Sequence, residues 1–578
     1  MKYPVLPVGK LQKQTVSVFK GLSCAPRMGE GQLAAMKNLT SRHYPVLSPR
    51  ACRGSRPDAG KASGLIAKDS LCWVEGREFV INGVRVDMDL TPGQKQLVSM
   101  GAYVVIFPDK MWINTMAPER FGSMEASFDS DGDVRFLLCD GAGEALADPE
   151  VSRQEPEEPE NGMLWLEPVS GSLCRYSQSS GWVPVEGTCV KICAPGIGRP
   201  FSQGDGVTLS GIRVPGLEAL NTTGVIRDLG EDYILFPGSI PAETVQLAAE
   251  GPVKLRRQVP EMDFVVEAGN RLWGCRYGPN GAGNMVNEIY ASRLGDFKNW
   301  NCFQGISTDS WAASLGSDGP FTGAITYMGY PLFFKENVLH KVYISDSGAH
   351  GIRETACRGV QAGCGGSLAL GEELLFYRSR DCICMYDGSL PEEVSEDLRL
   401  EPCVKAAGGT IGDKYYISME NARGQWELLV YDLRRKLWHR EDDLGVEAFC
   451  ACRGELFAQE AGTGRVLTML GSGEPVEEKV SWMAETGDLG VTEQERRYLQ
   501  RLQLSLFLPL GSQLRVSARY DNEEHWTPLC SLRGTGMKQF SLPVRPRRCG
   551  KFRLRLEGEG PGFLYAICRK GEKGSDSR

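Results

Sequence analysis

Between residues 64 and 117 the chain reads as short apolar runs separated by turn residues. The runs are Gly64-Leu-Ile-Ala, Ser70-Leu-Cys-Trp-Val, Glu78-Phe-Val-Ile-Asn-Gly, Gly101-Ala-Tyr-Val-Val-Ile-Phe-Pro-Asp and Met111-Trp-Ile-Asn. This pattern predicts four or five strands. Asn82-Gly83, between Phe79-Val80-Ile81 and Val84-Arg85-Val86, predicts a tight hairpin, because both residues tolerate positive φ. The same phrasing recurs from 262 to 472: Arg271-Leu-Trp-Gly-Cys, Pro331-Leu-Phe-Phe, Glu373-Leu-Leu-Phe-Tyr, Lys414-Tyr-Tyr-Ile-Ser-Met and Glu455-Leu-Phe-Ala each open a group of strands. The groups start roughly 40 to 60 residues apart, which is the period of four-stranded propeller blades. A helical solenoid would need amphipathic helices, and the pattern has none. A single blade cannot bury both of its faces, so radial packing against its neighbours must supply the missing surfaces. The pairs Tyr386-Asp387 and Tyr431-Asp432 fit strand ends, with the ring packed between blades and the Asp bonding the turn.

Breaks in this pattern divide the chain. Residues 1–60 carry Gly and Pro too densely for a compact domain and read as an extended arm. Within it, Leu33, Met36 and Leu39 have the spacing of one short helix, with Tyr44-Pro-Val-Leu extended after it. Residues 61–147 are assigned to the first blades. Residues 148–162 (DPEVSRQEPEEPENG) are acidic and Pro-rich, a linker. Residues 163–258 form an inserted β-barrel or sandwich module, and 259–475 the remaining blades. Strict alternation returns in the last hundred residues: Leu514, Val516, Ala518 and Tyr520 make one apolar face, with Arg515, Ser517 and Arg519 opposite. A C-terminal β-sandwich is expected over 478–568, followed by a disordered tail at 569–578. The expected fold class is all-β: a β-propeller with an inserted small β-domain and a C-terminal β-sandwich.

Composition agrees with this and narrows the function. At 578 residues the chain holds several cores, and its 69 Gly and 32 Pro favour many turns. The 65 basic and 73 acidic side chains leave a net charge of −8, which disfavours general adhesion to nucleic-acid phosphates. No run approaches the roughly 20 apolar residues of a spanning helix, and no signal-peptide core precedes the arm. The 19 cysteines are scattered, with close pairs at Cys189/Cys193, Cys382/Cys384 and Cys450/Cys452 and no CxxC. In a Cys-x-Cys pair on a strand both thiols share a face, which suits buried apolar side chains. The five histidines, His43, His340, His350, His439 and His525, do not cluster, so no metal site is expected.

No motif for chemistry completes itself. Asp129-Ser-Asp-Gly-Asp resembles the start of a calcium loop, but Gly132 comes too early and the twelfth position is Asp140 rather than Glu. A solvated turn is expected there. Gly278 to Asn284 (GPNGAGN) and Gly359 to Ser367 (GVQAGCGGS) lack the Lys and helix of a phosphate loop. Asp309-Ser310 and Asp346-Ser347 sit in no nucleophile elbow, and Trp438-His439-Arg440-Glu441-Asp442 reads as a strand end anchored by its Trp. The basic cluster Arg545, Arg547, Arg548 and Lys551 reads as a solvated loop, with an acidic protein partner or passing DNA as the alternative. No catalytic residue, cofactor-binding residue or metal ligand is assigned, and the chain is expected not to be an enzyme.

Several phrases, in order, resemble phage and prophage tail proteins related to the podovirus nozzle (tail tubular protein B, or stabilisation protein). They are Met36-Lys-Asn-Leu and Tyr44-Pro-Val-Leu-Ser-Pro-Arg in the arm, then Gly269-Asn-Arg-Leu-Trp-Gly, Asn287-Glu-Ile-Tyr-Ala-Ser-Arg-Leu-Gly-Asp-Phe-Lys-Asn-Trp, Pro331-Leu-Phe-Phe-Lys-Glu-Asn and Tyr386-Asp-Gly-Ser. The resemblance covers about residues 1–475. It implies a structural virion component assembled in the bacterial host cytoplasm, a homo-oligomeric ring, hexameric in that family, and tail, portal or adaptor proteins as partners. Double-stranded DNA would pass through without sequence-specific binding, and an acidic lumen would let it slide. Two alternatives stay open: a carbohydrate- or receptor-binding propeller with a lectin-like sandwich, and a propeller glycosidase, which needs a carboxylate pair and an Arg cluster that the sequence does not mark.

Overall fold

The computed structural model describes residues 12–573 except 215, 243, 248–251, 282, 345–348, 491–496 and 545–546. Its regular structure is strand, with only two single-turn 3₁₀ segments among the described residues. Seven antiparallel sheets form the propeller. Blade one is Ala62–Ala67, Leu71–Glu75, Glu78–Ile81 and Val84–Asp87, and blade two is Gln96–Met100, Tyr103–Phe107, Met111–Asn114 and Phe121–Ser123. Blades three to six begin at Phe264, Gly323, Ala369 and Cys403, each a four-stranded meander in sequence order. Blade seven begins at Val446.

The continuous apolar runs are explained by alternation across a sheet buried on both sides. Cys72 and Val74 of blade one pack with Val104 and Ile106 of blade two, whereas Leu71 and Trp73 pack with Phe457 and Val466 of blade seven. Blade two repeats the device one step round, sending Val105 and Phe107 towards Val265 and Leu272 of blade three. The apolar seams continue between blades three and four, through four, five and six, and between six and seven. The ring is closed. Asn82 and Gly83 form the two-residue turn inside blade one, both at positive φ.

The arm is woven into the rest of the protein. Gln12–Val16 pairs with Phe563–Lys573, and Leu33–Lys37 pairs with Ser481–Thr486, so it supplies an edge strand to each of the two five-stranded sheets of the C-terminal sandwich. Gly54–Ser55 then enters blade seven between Val466–Thr468 and Glu474–Pro475. The expected helix at Leu33, Met36 and Leu39 is a strand instead. A bulge between Leu33 and Ala35 puts Leu33 and Met36, three residues apart, on the same buried face, which mimics helical spacing. The sandwich core packs Leu514, Val516, Ala518 and Tyr520 against Leu502, Leu504 and Leu506. Gly558 is required there, since a Cβ at that position would lie 2.1 Å from the Trp482 indole.

The module between blades two and three is larger than its sequence boundaries. It begins at Ala126, which pairs with Arg257, rather than at 163. Val134–Cys139, within the 61–147 range assigned to the blades, is an interior strand of the module, flanked by Cys189–Cys193 and Thr244–Leu247. A blade strand and a barrel strand look alike locally, and only the distant partner separates them. The 148–162 segment is not wholly linker, because Glu150–Val151 pairs in parallel with Leu164–Glu167. At the other end the last strand runs through Lys573, past the expected start of the tail, because the strand Arg497–Leu508 pairs with it that far.

Candidate functional site

Two places gather unusual side chains, and the first is the junction of arm, ring and sandwich. Arg50 and Arg53, on the arm, are almost fully buried. Arg53 donates to Asp442 Oδ2 at 2.6 Å and to Glu441 Oε2 at 2.8 Å, both at the exit of blade six. Arg50 donates through its two Nη atoms to Glu477 at 2.7 and 2.8 Å, and through Nε to Asn38 Oδ1 at 2.9 Å. Glu477 also accepts the Arg53 amide. Burial works against the charges of Arg53, Glu441, Asp442 and Glu477. The Arg53 and Arg50 guanidiniums nevertheless bring the Asp442 carboxyl below its usual range, and Arg50 leads the same effect at Glu477. Glu441, fully enclosed, is pushed up by burial in spite of both arginines. The network floors a cleft of about 980 Å³ between propeller and sandwich, with Arg515, Arg533 and Glu557 on its sandwich wall. Three carboxylates locked onto two guanidiniums make an ionic clamp.

The second place is the small sheet of the inserted module. Cross-strand register puts Trp165, Tyr176 and Trp182 on one face of it. Trp182 lies 5.5 Å from Trp165 and 5.3 Å from Tyr176, centroid to centroid, and all three are half-exposed. The Trp165 indole N–H is fixed by the Ser152 carbonyl at 2.9 Å. The opposite face sends Leu164, Leu166 and Leu173 into the module core. This is a braced aromatic platform.

The residues weighed from sequence are scattered. Asp129 pairs with Arg256 at 2.7 Å, and Asp140 accepts the amides of Ala142 and Glu144 in its own turn. Among the described residues no group of three or more His, Cys, Asp or Glu could hold a metal ion. Within GPNGAGN, Gly278-Pro279 end a strand of blade three and Asn280 Oδ1 accepts the Asn284 amide in the turn that follows. Asp309 accepts the amide of Ile306, and Ser310 donates to the Asn299 carbonyl. Asp346-Ser347 lie outside the described residues, as does Arg545. Lys551 pairs with Asp488 at 3.2 Å. Trp438 anchors its strand end through Val394 O at 2.7 Å and lies 4.8 Å from Tyr431, while Glu441 and Asp442 of the same phrase belong to the clamp. Sequence reasoning missed the clamp because its halves are 388 positions apart. It also missed the platform, for which the alternation Leu164-Trp165-Leu166 was the one local signal.

No protein-family model matches the chain, and no curated protein matches it. Solved structures similar to it include a chain in a crystal structure of the mitotic checkpoint complex, at 9% identity over 78% of this chain and 97% of that one, TM-score 0.29. Another is the acylaminoacyl peptidase of Pyrococcus horikoshii, at 9% identity over 76% and 59%, TM-score 0.27. A third is an exo-β-1,3-galactanase from Phanerochaete chrysosporium, at 9% identity over 53% and 94%, TM-score 0.22. Likenesses this distant carry no argument about activity.

Proposed function

We propose that this protein is a non-catalytic, architectural and binding β-propeller, and that it serves as a ring component of a phage or prophage tail. The observation that carries this reading is the clamp: the arm is fastened by buried ion pairs to the exit of blade six and to Glu477. The phrases behind the resemblance supply much of that bracing. Met36 is buried in the sandwich core, and Asn38 donates to Ser481 O at 2.8 Å. Arg271 reaches the carbonyls of Ser292 and Ser307, and Asn299 holds Asp205 and the Gly206 amide of the inserted module. Residues of this kind specify how the parts are joined, which supports a shared architecture.

A second reading has its own support. The Trp165, Tyr176 and Trp182 platform offers the flat apolar faces that stack on sugar rings, as a glycan- or receptor-binding propeller requires. Mass photometry of the purified chain together with a glycan array separates the two. A closed oligomer with no glycan retained supports the tail component. A monomer that retains glycans, and loses them in Trp182→Ala, overturns it.

A further inference from the structure

We propose that Cys403 and Cys364 form a reactive dithiol that closes to a disulfide by exchange with a small disulfide of the glutathione class. Cys364 precedes the turn Gly365–Ser367, in the glycine-rich segment entering blade five, and Cys403 begins the inner strand of blade six. Their sulfurs lie 3.7 Å apart on separate segments, so a small side-chain rotation brings them to the roughly 2 Å of a bond. Arg378 stands beside them, 1% exposed. One nitrogen, Nη2, donates to the Glu401 carbonyl at 3.1 Å, while Nε and Nη1 have no hydrogen-bond partner. A guanidinium buried with two unanswered donors calls for an anion, and the Cys403 sulfur is the neighbour able to become one. The hydrogen bond between the two sulfurs and the charge of Arg378 bring Cys403 below the ordinary thiol range although burial opposes them, and Cys364 is correspondingly raised. Attacking and resolving thiols divide their roles in this way.

Cys403, itself 4% exposed, borders a pocket of about 550 Å³, with Arg399, Glu401, Trp426 and Arg440 around it, and this is the route by which a small disulfide would reach it. The Cys403 thiolate attacks one sulfur of the small disulfide, whose S–S bond breaks and releases one thiol. Cys364 then loses its proton and attacks Cys403 Sγ, and the second thiol leaves with that proton. The dithiol gives up two electrons and the small disulfide is reduced to two thiols. Cys382 and Cys384 have their sulfurs 3.5 Å apart but stand two residues apart on one run of chain. Extended backbone places such Cα atoms about 6.6 Å or more apart, near the upper limit for a disulfide, so this pair stays open.

The test treats the full chain with oxidised glutathione and maps disulfides by non-reducing peptide mass spectrometry. The expected product in the wild type is the Cys364–Cys403 cross-link. Cys364→Ser should trap glutathione on Cys403, and Cys403→Ser should leave Cys364 free. The proposal is overturned if both thiols still take an alkylating label once the exposed Cys24 has become glutathionylated. It is equally overturned if either cysteine cross-links to another partner. Should a variant fail to fold, the wild-type disulfide map is sufficient to support or overturn the proposal.

Discussion

Blades one to six and the junction are built by opposite rules. Each of those blades is a meander whose strands pair with their sequence neighbours, as Tyr103–Phe107 does with strands on either side of it. At the junction almost every partner is remote: Gln12 faces Gly571, Leu33 faces Thr486 and Ser55 faces Leu467. The blades draw their stability from apolar seams, the junction from apolar burial and a buried ionic clamp together. Repetition therefore makes the ring, and single long-range contacts make it one body with the sandwich.

The strongest way to break this contrast is to remove residues 1–56. Both sandwich sheets lose an edge strand and blade seven loses its fourth, so the expected outcome is loss of the cooperative unfolding transition, followed by circular dichroism and calorimetry. Next in size is Arg53→Ala, which leaves Glu441 and Asp442 buried without their nearest cation. Breaking a buried pair on one side costs about 3–5 kcal/mol, read from urea midpoints. Acid tests the blades separately. Burial, with Lys414 nearby, holds His439 in blade six at about 3, far below an ordinary histidine. The unfolded chain binds that proton first, so stability present above pH 6.5 is lost as pH falls, by about 1.4 kcal/mol per unit and about 2 kcal/mol by pH 5. Burial likewise lowers His340 and His350 in blade four, so the measured slope should exceed that of His439 alone. His439→Gln should flatten it by about one proton. Asp442 and Glu477 sit below the usual carboxylate range, so the stability those two carboxylates contribute should be lost only at lower pH than that of the blade histidines. The smallest effect is expected from replacing residues 126–257 with a short Gly-Ser linker. Ala126 and Arg257 are paired neighbours, so blades two and three can be rejoined, and the melting temperature should move by only a few degrees.

The same contrast explains what could be read from the sequence. The runs Leu71-Cys-Trp-Val and Tyr103-Val-Val-Ile-Phe declare strands buried on both faces, and Asn82-Gly83 declares its turn. The turns Met328-Gly329, Glu372-Glu373 and Arg453-Gly454 have the same positive φ at both positions, yet Met and Glu carry no turn signal, so neighbouring strands impose the geometry. Val134–Cys139 reads as a blade strand until its partners are known. Leu33 and Met36 read as helix because a bulge is invisible to periodicity. Gly54–Ser55 is too short and too plain to announce a strand at all. Arg50 and Arg53 look like ordinary surface arginines, since nothing local shows that Glu441 and Asp442 will enclose them.

The entry of Gly54–Ser55 into blade seven also orders events in time. Those two residues are synthesised before any blade, but the strands on either side of them, Val466–Thr468 and Glu474–Pro475, are made more than four hundred residues later. At about 5–20 residues per second that interval lasts tens of seconds or more, during which blades one to six can form in turn while the arm has nothing to pair with. The ring is therefore completed by a piece made before any of its blades, and its closure requires the longest-range pairing in blade seven.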